Sequence, residues 1–196
     1  MKMRKIIISA LALLGLFMVP AMAADTVSAT LEYNRSYEAT ADWNHVFDEG
    51  TSLGASTATQ FGSTKLFATP SVVDGTRFEA HAGQELNVSV FKLYVQGGVG
   101  YKFSSLKNFP YYQGTAGIDT KLTDNWTWNT VKFRYRDSFN GSQDAFRTER
   151  LSTGVTYRGL GFVDVSAGAF DDLPQTFTFN NVRGSAGVFV GVSHSF

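Results

Sequence analysis

Residues Gly184–Phe196 read GSAGVFVGVSHSF, and this stretch decides the fold. Ala186, Val188, Val190 and Val192 alternate with Ser185, Gly187, Gly191 and Ser193. A period of two places the apolar set on one face of an extended strand and the small or polar set on the other. The chain then stops on Phe196. Either a soluble sandwich or a membrane barrel can use such a strand, so the opposite end of the chain has to discriminate.

Lys2, Arg4 and Lys5 precede an apolar run from Ile6 to Val19, followed by Pro20 and the small residues of Ala21-Met22-Ala23. This is the pattern of a secretory signal, residues 1–23, cut before Ala24. The run is too short to cross a bilayer comfortably, and no later segment approaches the ~18 apolar residues a spanning helix needs. Any membrane span in residues 24–196 is therefore expected to be a strand. The chain has no cysteine, which excludes disulfides, thiolate chemistry and thiolate metal sites; no cofactor is expected. A formal net charge of zero argues against nucleic acid as a partner. Glycine (19), phenylalanine (17) and tyrosine (8) are abundant and proline (4) is scarce, which suits closely packed strands. The mean hydropathy is near zero, as strands with one polar face require.

Alternation recurs throughout. Val27–Tyr33, Tyr37–Phe47, Leu53–Phe61, Arg77–Glu85, Val88–Phe103, Tyr111–Leu122, Trp126–Phe139, Arg147–Arg158 and Phe162–Phe170 read as nine strands before the closing one. Asn34–Ser36, Asp48–Thr51, Asn87, Thr123–Asn125, Asn140–Gln143 and Gly159–Gly161 read as turns. Gly62–Gly75, Ser104–Pro110 and Asp171–Asn181 read as longer loops. The turns at Asp48, Asn87, Thr123 and Gly159 fall on one rim, and the longer connections fall on the other. That sorting is expected of an all-β, antiparallel up-and-down transmembrane β-barrel in the outer membrane of a Gram-negative cell. Ten strands fit best, and eight or twelve also fit. Trp43, Phe47, Phe61, Phe103, Tyr111, Tyr112, Trp126, Trp128 and Phe196 near strand ends suit interfacial aromatic girdles. Lipid and lipopolysaccharide are then the expected surroundings.

The face opposite the apolar one points into the lumen. By parity, β-strands one to four contribute Glu32, Glu38, Asp42, Asn44, Glu79, His81 and Glu85, with Arg77 as the exception. Strands five to eight contribute Lys92, Lys102, Lys132, Arg134, Arg136, Arg150 and Arg158, with Asp119 as the exception. One wall is mostly acidic and the other mostly basic. Two outcomes compete: opposite charges meet and close a narrow interior, or water keeps the walls apart and the guanidiniums offer forked donors to carboxylates.

Several segments resemble the KdgM-type oligogalacturonate porins: Asn44–Leu53 (NHVFDEGTSL), Pro110–Thr115 (PYYQGT), Lys121–Trp126 (KLTDNW) and Phe133–Arg136 (FRYR). The terminal strand ending on an aromatic residue resembles the closing strand of outer-membrane barrels generally. That resemblance implies recognition of Phe196 by the membrane-insertion machinery. The KdgM resemblance implies an arginine-lined lumen that passes acidic oligosaccharides, with Arg134 and Arg136 at the matching positions. Those porins have twelve strands, and a missing hairpin would narrow the pore. LTDNW also resembles turns of OmpA-like and opacity-type barrels, which implies a closed structural or surface barrel as the alternative.

An enzyme is not expected, and no catalytic or metal-binding residues are assigned. His45 and His194 fall on the outward face, and His81 lies inward beside Glu79 without an evident nucleophilic serine. Asp171 and Asp172 are expected in a solvated loop. The Gly62–Gly75 stretch is short for an adhesin surface. The function expected is a narrow channel for small anionic solutes such as acidic sugars.

Overall fold

A computed structural model describes residues 25–34, 36–47, 49–61, 75–104, 107–139, 147–173 and 185–196. The expected signal peptide and the connections at 62–74, 140–146 and 174–184 lie outside them. Ten antiparallel strands follow one another: β1 (Asp25–Tyr33), β2 (Tyr37–Val46), β3 (Thr51–Phe61), β4 (Gly75–Val88), β5 (Phe91–Ser104), β6 (Phe109–Lys121), β7 (Trp126–Ser138), β8 (Thr148–Tyr157), β9 (Asp164–Leu173) and β10 (Ser185–Ser195). Each strand pairs with its sequence neighbours. β1 then pairs with β10, from Thr26↔Ser195 to Tyr33↔Val188, and the sheet closes into a barrel. Closure matters because an unpaired strand edge in hydrocarbon would leave each N–H and C=O without a partner.

The alternation of the sequence becomes the two surfaces of this wall. Val188 and Val190 are 57% and 55% exposed on the outside, as are Phe78, Val95 and Val99 at similar levels. Such a continuous apolar exterior would be untenable in water and is the ordinary state against acyl chains. Aromatic residues mark both ends of this band. Tyr37 contacts Tyr33 on one side and Phe61 on the other at the end where the longer connections lie. Trp126 with Tyr157, and His194 with Phe196, do so at the end that carries the termini.

The hairpin between β4 and β5 differs from the sequence expectation. Val88 pairs with Phe91, so the turn is Ser89–Val90, with Ser89 at φ 57°; Asn87 instead lies in β4 opposite Lys92. The alternation continued two residues further than the turn chemistry of Asn87 suggested. β9 likewise runs through Asp171 and Asp172 to Leu173, where a loop was expected. Both aspartates pair in register with β8 and β10, Asp172 opposite Arg150 and Ser185.

β7 carries a bulge. The register shifts between Asn129 and Lys132, and the Asn129 carbonyl accepts a hydrogen bond from the Thr153 hydroxyl (3.1 Å). The extra residue changes which parity faces outward. Trp126 and Trp128 point outward before the bulge, whereas Lys132, Arg134 and Arg136 point inward after it.

The inner glycines act as seats for large inner side chains. A Cβ on Gly100 would lie 2.5 Å from the Tyr111 ring, one on Gly117 2.3 Å from the Tyr94 hydroxyl, and one on Gly187 2.3 Å from Phe170. A Cβ on Gly168 would meet both the Phe189 ring (2.5 Å) and the Thr153 carbonyl oxygen (2.2 Å). These rings therefore lie flat along the wall, over the next strand, instead of projecting to the barrel axis. Replacing Gly168 with valine is expected to destabilise the refolded barrel by about 1–3 kcal/mol through overpacking, read as a lower urea midpoint. Replacing Gly97 with alanine should not lower it, because nothing lies within 4 Å of the added Cβ.

Candidate functional site

The charged residues expected inside fall on the inner face by register, Arg158 excepted. Glu32 stands opposite Glu38, Arg77 opposite Lys102, Lys92 opposite Asp119, and Arg134 opposite Arg150. Like charges directly across a ladder repel, so each of these like pairs needs partners from elsewhere on the wall.

Those partners come from two arginines. Arg77 reaches over Ala58 of β3 and binds Glu38 of β2 in a forked pair, Nη1–Oε2 2.5 Å and Nη2–Oε1 2.7 Å. Both side chains are nearly fully buried, 6% and 7% exposed. Arg150 binds Asp172 of β9 with two N–H groups, Nε–Oδ1 2.6 Å and Nη2–Oδ2 3.1 Å, and turns Nη1 to Glu32 of β1. Its guanidinium stacks on the Phe170 ring at 3.7 Å. Phe170 can lie there because β10 offers Gly187 beneath it. Asn34, in the β1–β2 turn, also donates to Asp172 Oδ2 (3.1 Å).

At the other border between acidic and basic strands, Lys92 binds Glu85 (2.9 Å). These pairs run along the wall between neighbouring or near-neighbouring strands. Arg158 lies just beyond β8, in the exposed turn, 3.5 Å from Asp164, and so sits at the rim.

Arg134 differs from Arg77 and Arg150, whose guanidiniums are held by carboxylates. Its Nε and Nη2 are buried and make no hydrogen bond. Lys132 and Arg136 flank it on the inner face of β7, and the Lys132 side chain remains exposed within the barrel. Glu79 is spoken for: it accepts from the Tyr111 hydroxyl (3.0 Å) and from Gln113 (2.5 Å). His81 lies over Gly54, with Asp42 at 3.6 Å and Glu79 at 3.9 Å. Lys102 is almost completely buried on the inner face of β5.

The sequence reading missed four of these inner residues. Tyr111 was expected in an aromatic girdle beside Tyr112. Adjacent strand residues point to opposite faces, and Tyr111 is inward and 0% exposed, while Tyr112 alone faces out. Gln113 shares its parity, and Gly100 opposite Tyr111 was the available signal. Asp172 went unrecognised because β9 was ended at Phe170, and Phe170 itself, though placed in the strand, was not assigned to the inner face. His45 and His194 are outward, as parity required; His45 pairs with Asp25 at 2.6 Å, and His194 contacts the Phe162 carbonyl.

No family model and no curated relative matches the chain. Solved structures do. NanC porin superposes with a TM-score of 0.52 at 9% identity, covering 88% of this chain and 100% of that one. The fold is that of an outer-membrane β-barrel. KdgM porin, also solved in complex with disordered oligogalacturonate, superposes at TM-score 0.45 and 16% identity, covering 87% of this chain and 99% of its own. The N-terminal β-barrel domain of Pseudomonas aeruginosa OprF matches at TM-score 0.40 and 11% identity, covering 89% and 98%.

Breaking the Arg77–Glu38 pair leaves a buried carboxylate without its counter-charge. Arg77→Met is therefore expected to cost about 3–5 kcal/mol of stability, and adding Glu38→Leu should restore most of it. Urea unfolding of the refolded variants measures both.

Proposed function

We propose that the protein is an outer-membrane channel for small anionic solutes, with acidic sugars as the solute class. On this reading the signal sequence is removed before Ala24, and the barrel inserts through recognition of Phe196 among lipid and lipopolysaccharide. The observation that carries the proposal is the Arg134 guanidinium. It has two hydrogen-bond donors unused on the inner face, between Lys132 and Arg136, while the neighbouring acids Glu32, Glu38 and Glu79 already hold partners of their own. A guanidinium with unused donors beside committed anions leaves a local positive potential, and a solute carboxylate matches its fork.

A second reading has its own support. The Arg77–Glu38 and Arg150–Glu32 contacts show that interior charges can neutralise one another. A fully closed structural barrel would use the same contacts. The two readings part at a planar bilayer. Purified, refolded protein should give discrete current steps with an anion-leaning reversal potential in a salt gradient. Arg134→Ala, alone or with Arg136→Ala, should lower the anion-to-cation permeability ratio roughly two-fold or more. Galacturonate should reduce the wild-type current and do so less in those variants. A barrel that inserts stably without steps supports the closed reading, and unchanged selectivity in the Arg134 variants counts against this residue as a solute contact.

A further inference from the structure

We propose that Glu32 and Asp172 are internal carboxylate ligands of Arg150, and that they mask a second guanidinium that would otherwise bind solute carboxylate beside Arg134. The proposal rests on the anion-channel reading for its role in transport, but the masking itself is a property of the wall.

Arg134 and Arg150 stand directly opposite each other on β7 and β8, both inward. Two bare guanidiniums at that spacing form a site for one carboxylate or two. They repel each other unless an anion is present. The chain supplies that anion from its own strands, and hydrogen-bonds it to Arg150 and not to Arg134. Asp172 takes the Nε and Nη2 edge in fork geometry, and Glu32 takes Nη1. Phe170 covers one face of the guanidinium plane.

Glu32 comes from β1, two strands beyond β9, and Gly187 on the intervening β10 seats the Phe170 ring on which the Arg150 guanidinium rests. Arg134 has no such ligand on Nε or Nη2. The two neighbours are thus chemically alike and differently committed. The three-membered cluster carries two carboxylates on one guanidinium, a local charge of minus one next to the free arginine. Glu32 occupies the position a passing carboxylate would take, so it sets how tightly the pair of arginines holds an anion. Residues 32 and 172 determine solute affinity and charge preference without contacting the solute.

Citrate serves as the probe. Its half-blocking concentration is measured on single channels, and its binding to the refolded barrel in detergent is measured by calorimetry. Glu32→Gln is expected to tighten citrate block and binding about tenfold and to raise anion selectivity, because it frees Nη1 and removes the excess negative charge. Asp172→Asn is expected to act in the same direction. Glu32→Gln combined with Arg150→Gln should lose the gain. Heat-modifiable migration on gels confirms that each variant is folded, and Asp172→Asn decides the matter if Glu32→Gln does not fold. Equal or weaker citrate binding in the folded variants overturns the masking. A wild-type barrel that passes no current overturns the channel reading instead, and calorimetry then still decides whether Arg150 is masked.

Discussion

A strand that crosses hydrocarbon cannot leave its backbone N–H and C=O groups without partners, and the rest of this structure follows from that constraint. Within a single chain the strands must pair on both sides, so the last must find the first. The β1–β10 ladder meets the requirement here. Once the wall is closed, every side chain belongs to one of two solvents. The outer set can be apolar throughout, with aromatic rings where hydrocarbon gives way to headgroups. The inner set must reconcile many charges within a narrow tube.

The interior resolves its charges tangentially. Arg77 lies across β3 to Glu38, and Arg150 lies across β9 and β10 to Asp172 and Glu32. Tyr111 crosses β5 over Gly100 to reach Glu79 on β4. Ala58 supplies the space beside Arg77 and Gly100 the space beneath Tyr111, while Gly187 seats the Phe170 ring that carries Arg150. Glycine in a strand interior is normally a liability for packing. Here it lets a neighbour's ring or guanidinium lie against the backbone, so that bulky inner residues occupy the periphery of the tube.

Period-two alternation made most of this legible before any coordinates. It identified ten strands, the inward placement of Glu32, Glu38, Arg77, Arg134 and Arg150, and the outward placement of His45 and His194. What it missed has particular causes. Alternation cannot say where a strand ends, so the Asn87 turn was placed too early and Asp171–Asp172 were left in a loop. One clue to the β7 bulge was present in the sequence. Trp126, Trp128, Lys132, Arg134 and Arg136 are all even-numbered yet belong on opposite faces, which only an inserted residue allows. Pairings such as Arg150 with Glu32 depend on which strands meet after closure, and no local pattern encodes that.

The Arg150–Glu32 and Asn34–Asp172 contacts join positions 118 and 138 residues apart in the chain. Loop-closure entropy makes contacts of such separation costly until the intervening hairpins are in place. The β1–β10 ladder lies under the same handicap. The seam therefore cannot be assembled piecemeal as hairpins emerge; its backbone ladder and its ionic lock become favourable together, once β8, β9 and β10 are present. The ionic contacts at the seam are thus a property of the completed wall and of no single hairpin within it.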